Sequence, residues 1–355
     1  MGMLLAVALS GGVDSSVAAL LLRRQWSRMV GASHFIWPES RCCSAEVLSR
    51  ARQLCERLQI PYLVADLQKE FRESVVQDFV GAYLAGRTPN PCVLCNKRVR
   101  FEAFYLALAR SLRERGLLAP QEPLYFATGH YARVLATPEG HFLARGRDPL
   151  KDQSYMLYQL RRQLLPYLVL PLGEYRKSEV MALAQASGLG EYQTVRESQD
   201  ACFVERDYVS FIRAQTGRED FLRPGEIVDL EGNVLGRHQG TIRFTVGQRR
   251  GLGLGSGPWY VVRIEPQGDR VVVARREQAC RRYFQIRDEN WFVPPPREPL
   301  SCGVKIRYQA GEIPCRVQPT GQGFRVDLAQ PQVVAPGQSA VLYREDLVLG
   351  GGIIV

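Results

Sequence analysis

The chain has 355 residues, and 46 basic against 36 acidic side chains leave it a net charge of +10. That length exceeds one average domain and predicts two or three, and the basic balance suits a polyanionic partner. No apolar run approaches the ~20 residues of a membrane span, and the N-terminus reads as a core strand without a basic leader, so a cytoplasmic protein with no membrane partner is expected.

Leu4 to Leu9 is an apolar run that reads as a strand buried on both faces. It breaks into Ser10-Gly11-Gly12-Val13-Asp14-Ser15-Ser16, and a helical pattern resumes from Val17 to Leu22. A buried strand, a Gly/Ser turn and a helix leave unpaired backbone N–H groups where a phosphate can sit. Gly11 and Gly12 are expected to take positive φ. Asp14, Ser15 and Ser16 are expected to supply an N-cap, hydroxyls and a carboxylate facing Mg²⁺. The Gly-Lys-Ser/Thr ending of a Walker loop is missing.

Met29 to Ala32 predicts a second strand ending near His34, and Ser44 is the natural N-cap of an amphipathic helix running to Leu58. Ile60 to Asp66 predicts a third strand. Strands alternating with helices imply a doubly wound parallel sheet with ligands at the strands' carboxyl ends. A helix over 71–86 closes at Gly86. Pro89 and Pro91 then predict a fixed loop from Arg87 to Lys97, with helix resuming near Asn96. A strand within 124–131 with Thr128-Gly129-His130 just past its end, a short return strand over 141–145, a polar loop at Asp148–Ser154 and a helix over 178–187 follow. The polar stretch Glu197–Phe203 closes the first domain. Short Gly-punctuated β segments fill 222–280, and the strands beyond 281 suggest a small antiparallel barrel.

The nine cysteines are an odd count for a disulfide framework and argue for chemistry or metal at some of them. Cys92, Cys95 and Cys202 sit among polar or turn residues, whereas Cys55, Cys302 and Cys315 fall in periodic runs and read as small buried residues. Cys42 and Cys43 lie near a strand's carboxyl end. A lone Cys-x-x-Cys is half a zinc site, a redox pair or part of a cluster, and no second pair or His-x-x-x-His completes a zinc site. The turn at Ser10–Ser15 resembles the SGGxDS loop of the PP-loop ATP pyrophosphatases, and three thiols beside such a loop fit sulfur transfer: one carries a persulfide and another releases product by forming a disulfide.

The motifs SGGVDSS, CCSA, GRTPNP with CN, ATGHY, KDQSY, ACF, VGQRRGLG, PWYV, PGQSAV and LGGGII occur in this order. Together they resemble the bacterial tRNA-specific 2-thiouridylases of the MnmA family, within the PP-loop ATP pyrophosphatases. The resemblance implies an α/β fold (adenine nucleotide alpha hydrolase-like) over 1–206, a small β-rich central domain over 207–280 and a C-terminal β-barrel over 281–355 that contacts tRNA. It implies ATP-dependent 2-thiolation of the wobble uridine of tRNAs for Lys, Glu and Gln, with a cysteine desulfurase or relay protein as sulfur donor, by a monomeric enzyme. Ala8, Leu9, Ser10, Gly11, Gly12, Val13, Asp14, Ser15 and Gly129 match the family's ATP contacts. His34 stands where the family has an adenine-side methionine. Asn90, Pro91 and Cys92 match the target-base loop, and His130, Lys151, Asp152, Gln153, Arg307, Tyr308 and Gln338 match tRNA contacts. Cys95 matches the nucleophilic or resolving cysteine and Cys202 the persulfide carrier. Cys92 replaces a family Asp, and a [4Fe–4S] cluster on Cys92, Cys95 and Cys202 is the alternative to the persulfide. An amidating ligase of the PP-loop class and a non-catalytic tRNA-binding protein are the rival functions.

Overall fold

The computed structural model describes residues 2–38, 44–190, 201–204, 207–255 and 257–355. Cys42, Cys43 and residues 197–200 of the polar stretch lie outside them. The chain divides into two compact units: Met1–Val75 with Cys92–Glu205 and Glu345–Leu349, and Val76–Pro91 with Arg206–Arg344 and Gly350–Val355. No helix among the described residues is long and apolar enough to cross a membrane.

The strands of the first unit are β1 (Leu4–Ala8), β2 (Arg28–Phe35), β3 (Tyr62–Asp66), β4 (Leu124–Ala127), β5 (Ala132–Thr137), β6 (Gly140–Arg145) and β7 (Leu168–Val169). β3-β2-β1-β4-β7 form a parallel sheet in that order. β1 is central, and Leu4, Leu5, Ala6 and Val7 are all buried, as a run without polar alternation requires. Helix α1 (Val13–Arg23) lays Val17, Ala18 and Leu22 against this core. Helix α2 (Ala45–Leu58) is capped by Ser44, whose hydroxyl accepts from Val47 N at 3.3 Å. On α2, Cys55 is buried with its thiol pushed up to about 12, chiefly by desolvation. It seats over β2 at Gly31, where a Cβ would stand 2.2 Å from Cys55 Sγ.

The strand within 124–131 ends at Ala127, ahead of Thr128-Gly129-His130 as expected. Several other local readings change. The single return strand becomes the β5–β6 hairpin. Its first strand was hidden because Ala132–Thr137 is only partly buried and lacks a clean alternation. β7, two residues long, is too short to leave a periodic signal. Pro91 does not hold a loop: it opens the helical turn Pro91–Leu94, which runs into a π-helical stretch, Cys95–Ala103. A proline at the first helical position forfeits only an N–H that has no partner there. Cys92 and Cys95 therefore lie within helix.

In the second unit, the helix Tyr208–Thr216 is capped by Asp207, which accepts from Val209 N and Ser210 N. Its Tyr208 stacks on Tyr83 at 4.5 Å. Strands β8 (Pro224–Val228), β9 (Val234–Gln239), β10 (Tyr260–Glu265) and β11 (Arg270–Ala274) form a sheet of order β10-β11-β8-β9, parallel only between β11 and β8. β12 (Arg281–Trp291), β13 (Leu300–Lys305), β14 (Ile313–Thr320), β15 (Gly323–Gln332), β16 (Ser339–Arg344) and β17 (Leu347–Ile354) follow. Their order, β12-β15-β14-β13-β16-β17, closes into a six-stranded barrel through pairs such as Ile286–Ile354.

Gly31→Ala forces a methyl into the Cys55 thiol and should lower unfolding stability by about 1–3 kcal/mol in urea titration. Combining it with Cys55→Ala should recover most of that loss; a double variant no more stable than Gly31→Ala rules the contact out.

Candidate active site

The loop after β1 is tied to β2 before it turns. Leu9 N donates to Ala32 O at 2.8 Å, and the buried Ser33 hydroxyl donates to Leu9 O at 2.7 Å. Ser10 N then donates to Ser15 Oγ at 3.1 Å, while the Ser15 and Ser16 hydroxyls donate to Gly12 O at 3.1 and 3.0 Å. These hydroxyls brace the turn from within. Of the two glycines only Gly11 has positive φ, +64°; Gly12 is extended at −95° and is itself the N-cap of α1, with no side-chain cap. The expected cap by Asp14, Ser15 or Ser16 does not form, because the helix already begins at Val13. The first-turn N–H donors of this eleven-residue helix are left for an anion. Gly129, just past β4, closes on the same turn: a Cβ there would stand 2.9 Å from Ser15 N.

Asp14 does not face an open cation site. Lys177 Nζ donates to both of its carboxylate oxygens at 2.8 Å, and Tyr131 Oη donates to Oδ1 at 2.7 Å. With both oxygens engaged, the residues present do not fit a Mg²⁺ ligand set. Lys177 starts the helix Lys177–Ala186, and its backbone N donates to Asp148 Oδ2 at 2.9 Å. Sequence reading missed Lys177, placing its helix one residue later. The available signal was a lysine at a helix start, where the macrodipole disfavours a cation unless a counter-charge is supplied.

The KDQSY segment fastens the residues between β4 and β5. Gln153 Oε1 accepts from Tyr131 N at 3.0 Å, and Gln153 N donates to Tyr131 O at 2.8 Å. Asp152 is buried, accepting from Gly146 N and Ser154 N on Oδ1 and from the Ser154 hydroxyl on Oδ2. Lys151 is half-buried. Beside it, His130 Nε2 accepts from Arg100 at 3.3 Å, which leaves Nδ1–H to donate to Thr128 Oγ1 at 2.7 Å. His34, at the end of β2, is buried with its ring 5.1 Å from that of Phe104. Burial first and the Arg100 charge second push both imidazoles down to about 3, so each is neutral at physiological pH.

Arg100 also donates to Asn96 Oδ1 at 3.1 Å, Asn96 Nδ2 donates to Met156 O at 3.1 Å, and Lys97 Nζ donates to Gln159 Oε1 at 2.7 Å. The π-helical stretch that carries Cys95 is thereby anchored to the segment following KDQSY. Cys202 lies on a turn closed by Val204 N to Ala201 O at 3.0 Å. Its neighbour Phe203 is buried, with ring contacts to Phe71 at 5.4 Å and to Trp37, just beyond β2, at 6.5 Å. Cys92 is exposed, and Cys95 and Cys202 are half-buried. No group of three or more His, Cys, Asp or Glu among the described residues is gathered to hold a metal ion. Cys92, Cys95 and Cys202 as placed therefore do not fit a cluster.

In the second unit, Gln338 Nε2 donates to Thr88 O at 3.0 Å and Pro89 O at 3.2 Å, fixing the backbone just before Asn90 and Pro91. Arg307 lies in a cleft of about 490 Å³ with Arg249 and Arg276. Tyr308 follows it, 5.9 Å from Lys305 Nζ.

Three family profiles match the chain: a "tRNA methyl transferase HUP domain" over 3–206, a "tRNA methyl transferase PRC-barrel domain" over 211–275 and an "Aminomethyltransferase beta-barrel domain" over 281–354. The tRNA-specific 2-thiouridylase MnmA of Rhodospirillum centenum is 44% identical over 98% of this chain and 91% of its own. That of Chloroflexus aurantiacus is 44% identical over 98% and 96%. This chain belongs to the MnmA family. Among solved structures, the U34-tRNA thiolase NcsA from Methanococcus maripaludis, with its [4Fe-4S] cluster, aligns loosely at a TM-score of 0.34 and 18% identity, over 62% of this chain and 67% of that one. In this family member, Asp14 of the SGGVDSS turn is held in a half-buried ion pair with Lys177, which lies outside the motifs that mark the family.

Folding favours the neutral forms of His34 and His130, because their folded values lie below the ordinary 6.5. Their stabilisation is complete above about pH 6.5 and is lost as pH falls toward 3. Each should remove at most about 1.4 kcal/mol per pH unit in that window. Urea midpoints measured at pH 7, 6 and 5 should fall accordingly, and His130→Gln should flatten the slope; a pH-independent midpoint contradicts the buried neutral rings.

Proposed function

We propose that the chain thiolates C2 of a uridine in tRNA at the expense of ATP, releasing AMP and pyrophosphate, and that the wobble uridine of tRNAs for Lys, Glu and Gln is its target. The observation carrying this reading is the anion-ready turn at Ser10–Ser15, backed by Lys177 and Gly129, in the same compact unit as the thiols of Cys95 and Cys202. The domain descriptions speak of methyl transfer and the relatives' names of thiolation; an anion-ready turn in the same compact unit as the Cys95 and Cys202 thiols supports thiolation.

The chemistry follows from the substrate. The uracil C2 carbonyl is a poor electrophile, and its oxygen leaves only after ATP adenylates it. The backbone donors of α1 hold the phosphates, and Lys177 neutralises negative charge as the pyrophosphate departs, with Asp14 and Tyr131 positioning its ammonium. A persulfide on Cys202, loaded by a cysteine desulfurase or relay protein, attacks C2 through its terminal sulfur, and AMP leaves. Cys95 thiolate then attacks the Cys202 sulfur. The thiouridine is released, and a Cys95–Cys202 disulfide remains for a cellular thiol to reduce. The base must be flipped out to meet these thiols, and Arg307, Tyr308 and the basic surface hold the tRNA backbone. Such an enzyme acts as a monomer in the cytoplasm, where its tRNA and reductant are found.

Lys177→Met should lower tRNA-dependent pyrophosphate release roughly 10²-fold with partial recovery in Lys177→Arg, while circular dichroism stays native. Cys202→Ser should form no thiolated tRNA when assayed by thiol-affinity gel with a persulfide donor. Thiolated tRNA at the parental rate in Cys202→Ser would remove Cys202 as the sulfur carrier, whereas pyrophosphate release by the parental chain with no thiolated tRNA would instead favour an amidating ligase of the same fold.

A further inference from the structure

Two cysteines outside the site stand face to face. Cys302 on β13 and Cys315 on β14 are direct partners in an antiparallel register that runs without a shift from Leu300–Val317 to Val304–Ile313. Their sulfurs are 3.6 Å apart. Directly opposed residues on one face of such a ladder hold their Cβ atoms ~4.5–5.5 Å apart, close to the ~3.5–4.5 Å that a disulfide spans. A small side-chain rotation with a slight closing of the ladder brings the sulfurs to bonding distance. The pair is asymmetric: Cys315 is buried, whereas Cys302 is partly open to solvent.

We propose that Cys302 and Cys315 form a dithiol that a hydroperoxide oxidises to a disulfide, independent of the thiols assigned to sulfur transfer. The hydrogen bond from Cys315 and the charge of Arg344 lower the Cys302 thiol against burial and Glu312, while the same bond and burial raise Cys315. Cys302 is therefore the attacking thiolate and Cys315 the resolving thiol. Cys302 Sγ attacks one peroxide oxygen, the O–O bond breaks and hydroxide leaves as water, giving a sulfenic acid. Cys315 sulfur then attacks Cys302 Sγ; the S–O bond breaks, and its oxygen departs with the Cys315 proton as a second water. Two thiols lose two electrons in all, hydrogen peroxide gains them, and an external dithiol reverses the exchange.

The position gives the oxidation a consequence. The two cysteines lie near the base of the β13–β14 hairpin, whose connecting segment 306–312 carries Arg307 and Tyr308 and lines the basic cleft with Arg249 and Arg276. A cross-link there shortens the free ring that this segment closes and restricts it.

The full chain, reduced and then exposed to hydrogen peroxide, would be alkylated with iodoacetamide, digested and analysed by mass spectrometry. The expected product is a linked Cys302–Cys315 peptide pair, lost on dithiothreitol treatment and absent from Cys315→Ser. Amide hydrogen exchange over 306–312 should slow several-fold in the oxidised chain. Cys315→Ser should leave thiolation under reducing conditions unchanged. Alkylation of both cysteines under conditions that link Cys95 to Cys202, or conversion of Cys302 to sulfinic acid without a link, overturns the proposal. A linked pair with unchanged exchange overturns the restriction of the segment. Because the linkage is read by mass alone, its failure is separate from any failure of the tRNA reading.

Discussion

Lys177 brings a cation to the first turn of its own helix, where the backbone dipoles oppose it, and Asp14 answers it with both carboxylate oxygens at 2.8 Å. That pair joins two helices far apart in sequence, with Tyr131, just before β5, as third member. Its charges are only partly exposed, 20% and 27% at the two side chains. It gains more than a surface pair from its surroundings and loses more if either partner is removed. The turn between Asp14 and β1 is thereby fixed from the carboxylate side, as the Ser15 and Ser16 hydroxyls fix it from within.

A second constraint runs through Arg100. It donates to Asn96 on its own helix and to the neutral His130 ring, which depends in turn on Thr128. A protonated His130 could not accept from a guanidinium, so the ring's low proton affinity and the position of the Cys95 helix are one physical fact. The residues that the family resemblance assigns to tRNA thus divide. His130, Asp152 and Gln153 are engaged inside the fold, Gln338 holds the backbone ahead of Asn90, and Arg307 stands on the wall of a basic cleft. A residue can keep a base or backbone in place without touching it.

The parallel sheet, the turn after β1 and Ser44 as a helix cap were legible because each is a local pattern: an unbroken apolar strand, a Gly/Ser break, a hydroxyl three residues before its donor. The helix at Pro91 was not, because a proline forbids helix only where an N–H is needed, and at a first turn none is. The partner of Asp14 was not legible for a related reason. A carboxylate beside a glycine turn suits either a metal or an ammonium, and the lysine that decides between them lies 163 positions away. β5 and β7 escaped because a half-exposed strand and a two-residue strand carry no period.

The sequence by itself determined the alternating strands and helices from β1 to β3, the anion-ready turn, the barrel beyond 281 and the set of cysteines with chemistry near them, since local periodicity and turn chemistry encode these. Tertiary structure alone decided which charge faces Asp14, that two histidines are neutral, and that Cys302 meets Cys315 across a ladder. Each of those depends on a partner distant in the chain or on burial, and neither has a local signature in the order of residues.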